Sequence, residues 1–318
     1  MKAIGLIEYG GPEVLHVIDA EEPHPGPGDV RIHVRAAGVN PADAMLRDGS
    51  LAEWYKDLEP PFVPGMDVAG IIDELGPDVQ ATHQLTVGDE VIGLVDNHGR
   101  RGGYSEYIVV PAASVTAKPA GATYAQAASF LMNALTARSA LDALALPSGA
   151  TLLVTGAAGA VGGYAVQLAA AEGLHVIALA SGEDEDMVRS FGARDFVPRG
   201  EEIVRRVLDL APAGVDGVVD GAVLDGEVTP AVRDGGRIAT LRFWNGTPGR
   251  GITVHPVNVR ERATDHEAIV RLRERAEAGE LAMRVAETFP AHHAAKAHQL
   301  LDQGGLRGRL ILEFSPAG

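Results

Sequence analysis

Cysteine is absent from the 318 residues. That excludes disulfides, thiolate nucleophiles and Cys-ligated zinc, and leaves any metal site to carboxylates and to eleven histidines. No apolar run approaches the roughly 20 residues that a membrane-spanning helix needs. The opening MKAIGLIEYGG reads as strand and turn. It has neither the long apolar core of a signal peptide nor an Arg/Ser-rich transit character, so the expected location is the cytoplasm. Positive charge is scarce: 27 Lys and Arg against 43 Asp and Glu give a formal charge of −16. Such a chain repels a duplex or an anionic membrane, so neither is an expected partner. An anionic ligand must then be held by local donors.

The length predicts two domains. The first third reads as all-β, with short Val/Ile-rich runs at residues 2–7, 15–18, 29–37, 70–74, 90–94 and 104–111. Gly/Pro-rich turns separate them, including one at residues 97–103. Many short strands at this spacing predict a barrel or sandwich. His33 falls on the polar face of an alternating strand and reads as a solvated histidine, not a ligand. A helical turn is expected over 41–49, and an Ala-rich helix over 124–144 leads out of this region. From residue 150 strand and helix alternate. Strands are expected at 152–155, 175–179, 195–197, 215–220, 237–240 and 252–255, and helices at 164–172, 185–191 and 201–210. That is the pattern of a doubly wound parallel sheet. A charged helix over 264–278 closed by Gly279, a helix over 291–301 and a strand over 309–314 end the chain.

The organising stretch is TLLVTGAAGAVGGYAVQL, residues 151–168. It runs strand, tight turn, helix. Gly156, Gly159 and Gly162 lie three apart, and Ala157 stands where a stricter G-x-G-x-x-G has its first glycine. The residue types suit a pyrophosphate against the backbone N–H groups that open a helix. A side chain larger than methyl would hold the phosphates off, and bulk at Gly162 would push the helix off its strand. A bare glycine triplet is more often a small-residue turn; its strand-to-helix setting supports dinucleotide binding here. Gly156, Ala158, Gly159, Ala160 and Val161 are the candidate contacts.

Cofactor choice is read at the tip of the second strand. An acid there binds the ribose of NAD; its absence leaves room for the 2′-phosphate of NADP. The strand at 175–180 runs into Ser181-Gly182 with no acid at its tip, and Ser181 can donate to a phosphate. The run Glu183 to Asp186 follows at once without a basic neighbour. It suits equally a helix first turn with Ser181 as N-cap. NADP(H) is favoured over NAD(H).

Seven blocks in order carry a resemblance. They are Gly38-Val39-Asn40-Pro41-Ala42-Asp43, Pro64-Gly65-Met66-Asp67-Val68-Ala69-Gly70, Val87-Gly88-Asp89-Glu90-Val91, Gly103-Tyr104-Ser105-Glu106-Tyr107, Leu135-Thr136-Ala137, the stretch 154–162, and Arg307-Gly308-Arg309-Leu310. Together they resemble the medium-chain dehydrogenase/reductase superfamily, and within it the zinc-free quinone oxidoreductase branch. The resemblance implies an α/β fold: a GroES-like β-barrel domain from residues 1–121 and 258–318, with a Rossmann dinucleotide-binding domain inserted over 122–257. It also implies a homodimer that pairs Rossmann sheets edge to edge.

The places that match the zinc ligands of the zinc-dependent relatives are Asn40, Met66 and Met132. An amide and two thioethers cannot replace them. The Cys-rich lobe of those relatives is reduced to residues 96–101. No metal is therefore expected. His292, His293 and His298 share one short helix without H-E-x-x-H spacing and read as partly exposed helix residues.

What the resemblance implies is hydride transfer from NADPH to a small electrophilic acceptor, a quinone or an α,β-unsaturated carbonyl. For such acceptors positioning and modest polarisation suffice. Asn40 and Asp43 match the polar floor of the family's site, although Asn-Pro and Asp at a helix start are also ordinary turn chemistry. Met45 takes the place of a tyrosine frequent in the branch, and Arg47 is kept. Tyr55, Met66, Arg242 and Trp244 are further candidates to line the substrate site, with packing as the commoner role for Phe243 and Trp244. Thr136 matches a contact to the nicotinamide ribose, and Arg309 one to the phosphates. Two alternatives remain open: an enoyl-thioester reductase, and a dinucleotide-binding sensor or structural protein with little turnover.

Overall fold

The computed structural model describes residues 1–96 and 101–314, so the expected turn at 97–103 lies partly outside the described residues. The chain forms two compact units. One holds Met1–Met132, Ala263–Gly279 and Met283–Gly318; the other holds Asn133–Arg262 and Glu280–Ala282.

The first unit opens with β1 (Lys2–Gly5), β2 (His16–Asp19) and the long β3 (Asp29–Val39), followed by α1 (Pro41–Arg47). Then come β4 (Asp67–Leu75), α2 (Val79–His83), β5 (Glu90–Leu94), β6 (Tyr107–Pro111), β7 (Val115–Ala117) and α3 (Tyr124–Ala128). The helix α4 (Leu131–Leu144) carries the chain into the second unit. The 124–144 stretch is thus two helices, because α3 ends at a C-cap on Ser129 whose hydroxyl turns back to the Gln126 carbonyl.

In the second unit β8 (Thr151–Thr155), α5 (Ala160–Ala171), β9 (His175–Ala180), α6 (Glu185–Ser190), β10 (Asp195–Pro198), α7 (Ile203–Leu210), β11 (Val215–Asp220), β12 (Val232–Thr240) and β13 (Thr253–Pro256) follow in order. The chain returns through α8 (His266–Glu277), β14 (Val285–Pro290), α9 (Ala294–Gln303) and β15 (Arg309–Glu313). Gly279, at φ +76°, follows the C-cap of α8 as expected.

The second unit's sheet is parallel, in the order β10-β9-β8-β11-β12-β13. The order in which strands are added reverses between β8 and β11, which makes the carboxyl ends of those two strands the topological switch point of a Rossmann sheet. Being central and parallel, β8 reads as a continuous buried run.

Among the described residues the first unit's sheet runs β14-β15-β3-β4-β5-β7, with β6 also on β3. Strand β3 is long because two partners share one of its edges: β6 pairs residues 29–33 and β15 pairs 36–39. β14 escapes sequence reading because its side chains are mostly exposed, so no apolar alternation marks it. The first unit runs on to Met132, eleven residues past the expected boundary. Thr123 caps α3, Ala128 lies against Gly38, and the Met132 N–H donates to Asp67 at 2.9 Å. Those contacts tie residues 122–132 to β3 and β4.

Candidate functional site

The turn after β8 is shaped by its glycines. Gly156 lies at φ +61°, a conformation glycine takes without strain. A Cβ on Gly162 would stand 2.2 Å from the Gly156 carbonyl oxygen, so only glycine lets α5 begin this close to the turn. A Cβ on Gly159 meets a single atom, the Gly156 oxygen at 3.1 Å, and is otherwise in the open. Gly159 is the N-cap of α5 and has no side chain with which to cap it. The N–H groups that open this 12-residue helix lie at the positive end of its dipole, and the Gly159 N–H is turned to the Gly156 carbonyl at 2.9 Å. Gly159, Ala160 and Val161 are half-buried, Ala158 is buried. A helix start built from glycines and small side chains fits the pyrophosphate of a dinucleotide.

Two residues that the sequence reading missed brace this turn. Thr155, last in β8, donates its hydroxyl to Asp220 at 2.5 Å and accepts from the Ala222 N–H at 3.0 Å. Asp220, last in β11, also accepts from the Asp225 N–H at 2.7 Å. A threonine and an aspartate closing two strands are the only trace in sequence; their pairing is set by parallel register.

Ser181 follows β9 and opens a short 3-10 turn, Gly182–Asp184, but makes no capping side-chain bond. It stands at the N-cap position, as considered, without using its hydroxyl there. Asp184 in the acidic run is buried. Thr136 is half-buried on α4. Beyond β12, Arg242 is exposed and Phe243 is 40% exposed at φ +56°, while Trp244 packs against the apolar core of the second unit. Packing is the structural role of Trp244.

The first unit gathers a second set of polar groups in its interior. Asn40, Asp43 and Asp67 are each at most 1% exposed. The Asp43 carboxylate accepts from the Asn40 N–H at 2.8 Å, from the Gly65 N–H at 2.7 Å and from the Tyr104 hydroxyl at 3.4 Å. Asn40 donates its side-chain amide to Asp67 at 3.5 Å. Burial pushes Asp43 up to about 6 and Asp67 up to about 7, against the opposing pull of these hydrogen bonds and of Arg309. Arg309, 9% exposed at the head of β15, thus places its charge beside the two carboxylates.

Arg47 is 4% exposed and donates to the Gly10 carbonyl, to His298 Nδ1 at 3.2 Å and to Asp302 at 3.0 Å. His298 is the clearest departure from expectation. It is not partly exposed but wholly buried on the inner face of α9, where its Nε2 lies 3.1 Å from the Tyr104 hydroxyl. Burial and the neighbouring Arg47 push its pKa down to about 3. His292 and His293 are exposed. His33 is half-buried, stacked on Tyr107, with burial lowering its pKa. Met45 is half-buried against the core of the first unit, Tyr55 lies inside that core, and Met66 is 3% exposed. The structure therefore brings Asn40, Asp43, Met66 and Arg309 together, with Arg47 joined to them through His298 and Tyr104. Tyr55 serves the apolar core.

An amide at Asn40, turned to Asp67, and thioethers at Met66 and Met132 are a poor donor set for zinc. Among the described residues no group of three or more His, Asp or Glu able to hold a metal occurs. Among those residues no helix is long and apolar enough to cross a membrane.

Two families match the chain: "Alcohol dehydrogenase GroES-like domain" over residues 26–120 and "Zinc-binding dehydrogenase" over 191–312. The quinone oxidoreductase of Sus scrofa is 28% identical over 335 residues, covering 98% of this chain and 97% of its own. Among solved structures, an NAD-dependent alcohol dehydrogenase superposes with TM-score 0.85 at 29% identity, covering 99% of this chain and 100% of that one. A mycobacterial protein complexed with NADPH superposes with TM-score 0.85 at 28% identity, over 99% and 100% of the two chains. With its GroES-like unit and Rossmann sheet, the chain is a medium-chain dehydrogenase/reductase. Within that superfamily of oxidoreductases it belongs to the quinone oxidoreductase branch.

Proposed function

We propose that the protein is an NADPH-dependent, zinc-independent reductase of quinones or α,β-unsaturated carbonyls. The observation that carries this reading is the glycine-opened N-terminus of α5, with Gly156 at φ +61° and the close approach at Gly162. The backbone N–H groups of Ala160 and Val161 would hold the pyrophosphate over the turn at residues 156–159, and Ser181, at a strand tip without an acid, would donate to the 2′-phosphate. Thr136 contacts the nicotinamide ribose. The bound dihydronicotinamide supplies the hydride. Asn40 and Asp43 are fully shielded, so their part is to hold the floor beneath the acceptor: Asp43 ties Asn40 to Gly65 and so sets Met66 in place. Arg309 balances the buried carboxylates.

The test is loss of NADPH absorbance with a panel of quinones, enones and enoyl thioesters, repeated with NADH. Oxidation by quinones or enones, faster with NADPH, is expected. Turnover confined to enoyl thioesters selects the alternative reductase, and cofactor binding without any turnover selects the sensor. We further propose a homodimer through β13, which ends the order of the parallel sheet; a monomer by light scattering overturns it.

A further inference from the structure

We propose that His298, through Tyr104, is a positioning residue for Asp43, an inference that rests on the reading above only in placing Asp43 beneath the acceptor. The three side chains come from α9, from the segment before β6 and from α1, and none is more than 1% exposed. Their hydrogen bonds have a direction. A guanidinium has donors only, so His298 Nδ1, 3.2 Å from Arg47, must accept. The neutral ring then carries its proton on Nε2 and donates it to the Tyr104 oxygen at 3.1 Å. The phenol proton is left for Asp43 at 3.4 Å, where the carboxylate accepts.

Every donor in the chain points from Arg47 toward Asp43. Arg47 is itself anchored by the Gly10 carbonyl and by Asp302. The polarity of a permanent cation is thus handed across two neutral rings to a carboxylate it does not touch. The other groups facing Asp43 are the N–H groups of Asn40 and Gly65, the charge of Arg309, and Asp67, whose charge opposes ionisation. Protonating Asp43 weakens the acceptor at the end of the chain. The arrangement therefore favours the carboxylate that ties Asn40 to Gly65. Exposed helix histidines such as His292 and His293 have no such constraint.

The experiment follows the Asp43 side-chain carbon by NMR from pH 5 to 8 in the full-length protein. Tyr104→Phe should raise the Asp43 midpoint by about one pH unit, the order expected when one hydrogen bond to a carboxylate is lost. His298→Leu should move it the same way by less, and His298→Gln, whose amide can still donate to Tyr104, should restore it. Folded Tyr104→Phe and His298→Leu proteins with an unmoved midpoint overturn the proposal. Should His298→Leu fail to fold, Tyr104→Phe and the nitrogen-15 spectrum of the unmodified protein decide: a non-titrating Nε2–H tautomer at His298 supports the chain, and an Nδ1–H tautomer overturns it. The acid limb of turnover should shift with the carboxyl midpoint. A shifted midpoint beside an unshifted turnover profile leaves the chain standing and removes Asp43 from beneath the acceptor.

Discussion

The two polar regions of this molecule are built by opposite means. At the turn after β8, side chains are left out: glycines shape a half-buried backbone turn at the positive end of a long helix. In the first unit charged side chains are put in: Asp43, Asp67, Arg47 and Arg309 are all less than 10% exposed, with Asp43 and Asp67 joined through Asn40, and Arg47 reaching Asp43 through His298 and Tyr104. The first kind of region costs little to fold, since a half-buried helix start stays in reach of water. The second carries a desolvation penalty that only a connected network offsets. Substitutions in the two regions should accordingly fail differently.

The largest effect is expected at the turn. Gly159→Val meets only one contact and should fold, yet lose about 100-fold or more in NADPH affinity, because its side chain fills the phosphate cradle. Near-normal binding by titration calorimetry would remove the cofactor site. Gly162→Val should instead lower the melting temperature sharply, since its Cβ lies 2.2 Å from backbone.

In the first unit, Arg47→Ala should cost about 2 kcal/mol of stability in urea, leaving the Gly10 carbonyl and His298 without their donor. A loss within 0.5 kcal/mol, the roughly neutral range for a surface change, would show that the network is not structural.

Asp67→Asn tests the buried charge by pH. Burial raises this carboxyl to about 7 in the folded protein. The folded state therefore retains a proton that the unfolded chain has released, and the stability this confers is lost as pH rises through about 7. The asparagine variant lacks this loss, so its advantage in melting temperature over the wild type should grow from pH 5 to 8. The lowered His298 pKa works oppositely, removing stability as pH falls below its ordinary 6.5, but it is common to both proteins and cancels in the difference. A difference that does not change with pH would refute a raised Asp67.

Asn40→Ala should reduce kcat about tenfold while leaving NADPH affinity within about twofold. Equal effects on both would make Asn40 a turn former alone. The smallest expected change is none: chelators should leave turnover unaltered, and a loss restored by zinc would reverse the zinc-free reading.

Much of the fold could be read because its signals are local. The strand, glycine turn and helix at 151–171 lie in one stretch, and the Gly156 and Gly162 conformations follow from neighbours a few residues away. The break between α3 and α4 was hidden because Ala-rich sequence continues on both sides of Ser129. Ser181 had the right type and place for an N-cap, yet its side chain does not cap.

His298 shows the limit most clearly. Its own helix offers only a polar residue among alanines, whereas its partners Arg47 and Tyr104 stand 251 and 194 residues away. Sequence by itself determined the strand, glycine turn and helix at 151–171 and the want of cysteine ligands, because backbone conformation and residue type are written within a few positions. Tertiary structure alone decided which charges are stripped of water and which donors reach them. Ionisation and hydrogen-bond direction depend on groups that only folding brings within 3 or 4 Å, roughly hydrogen-bond range.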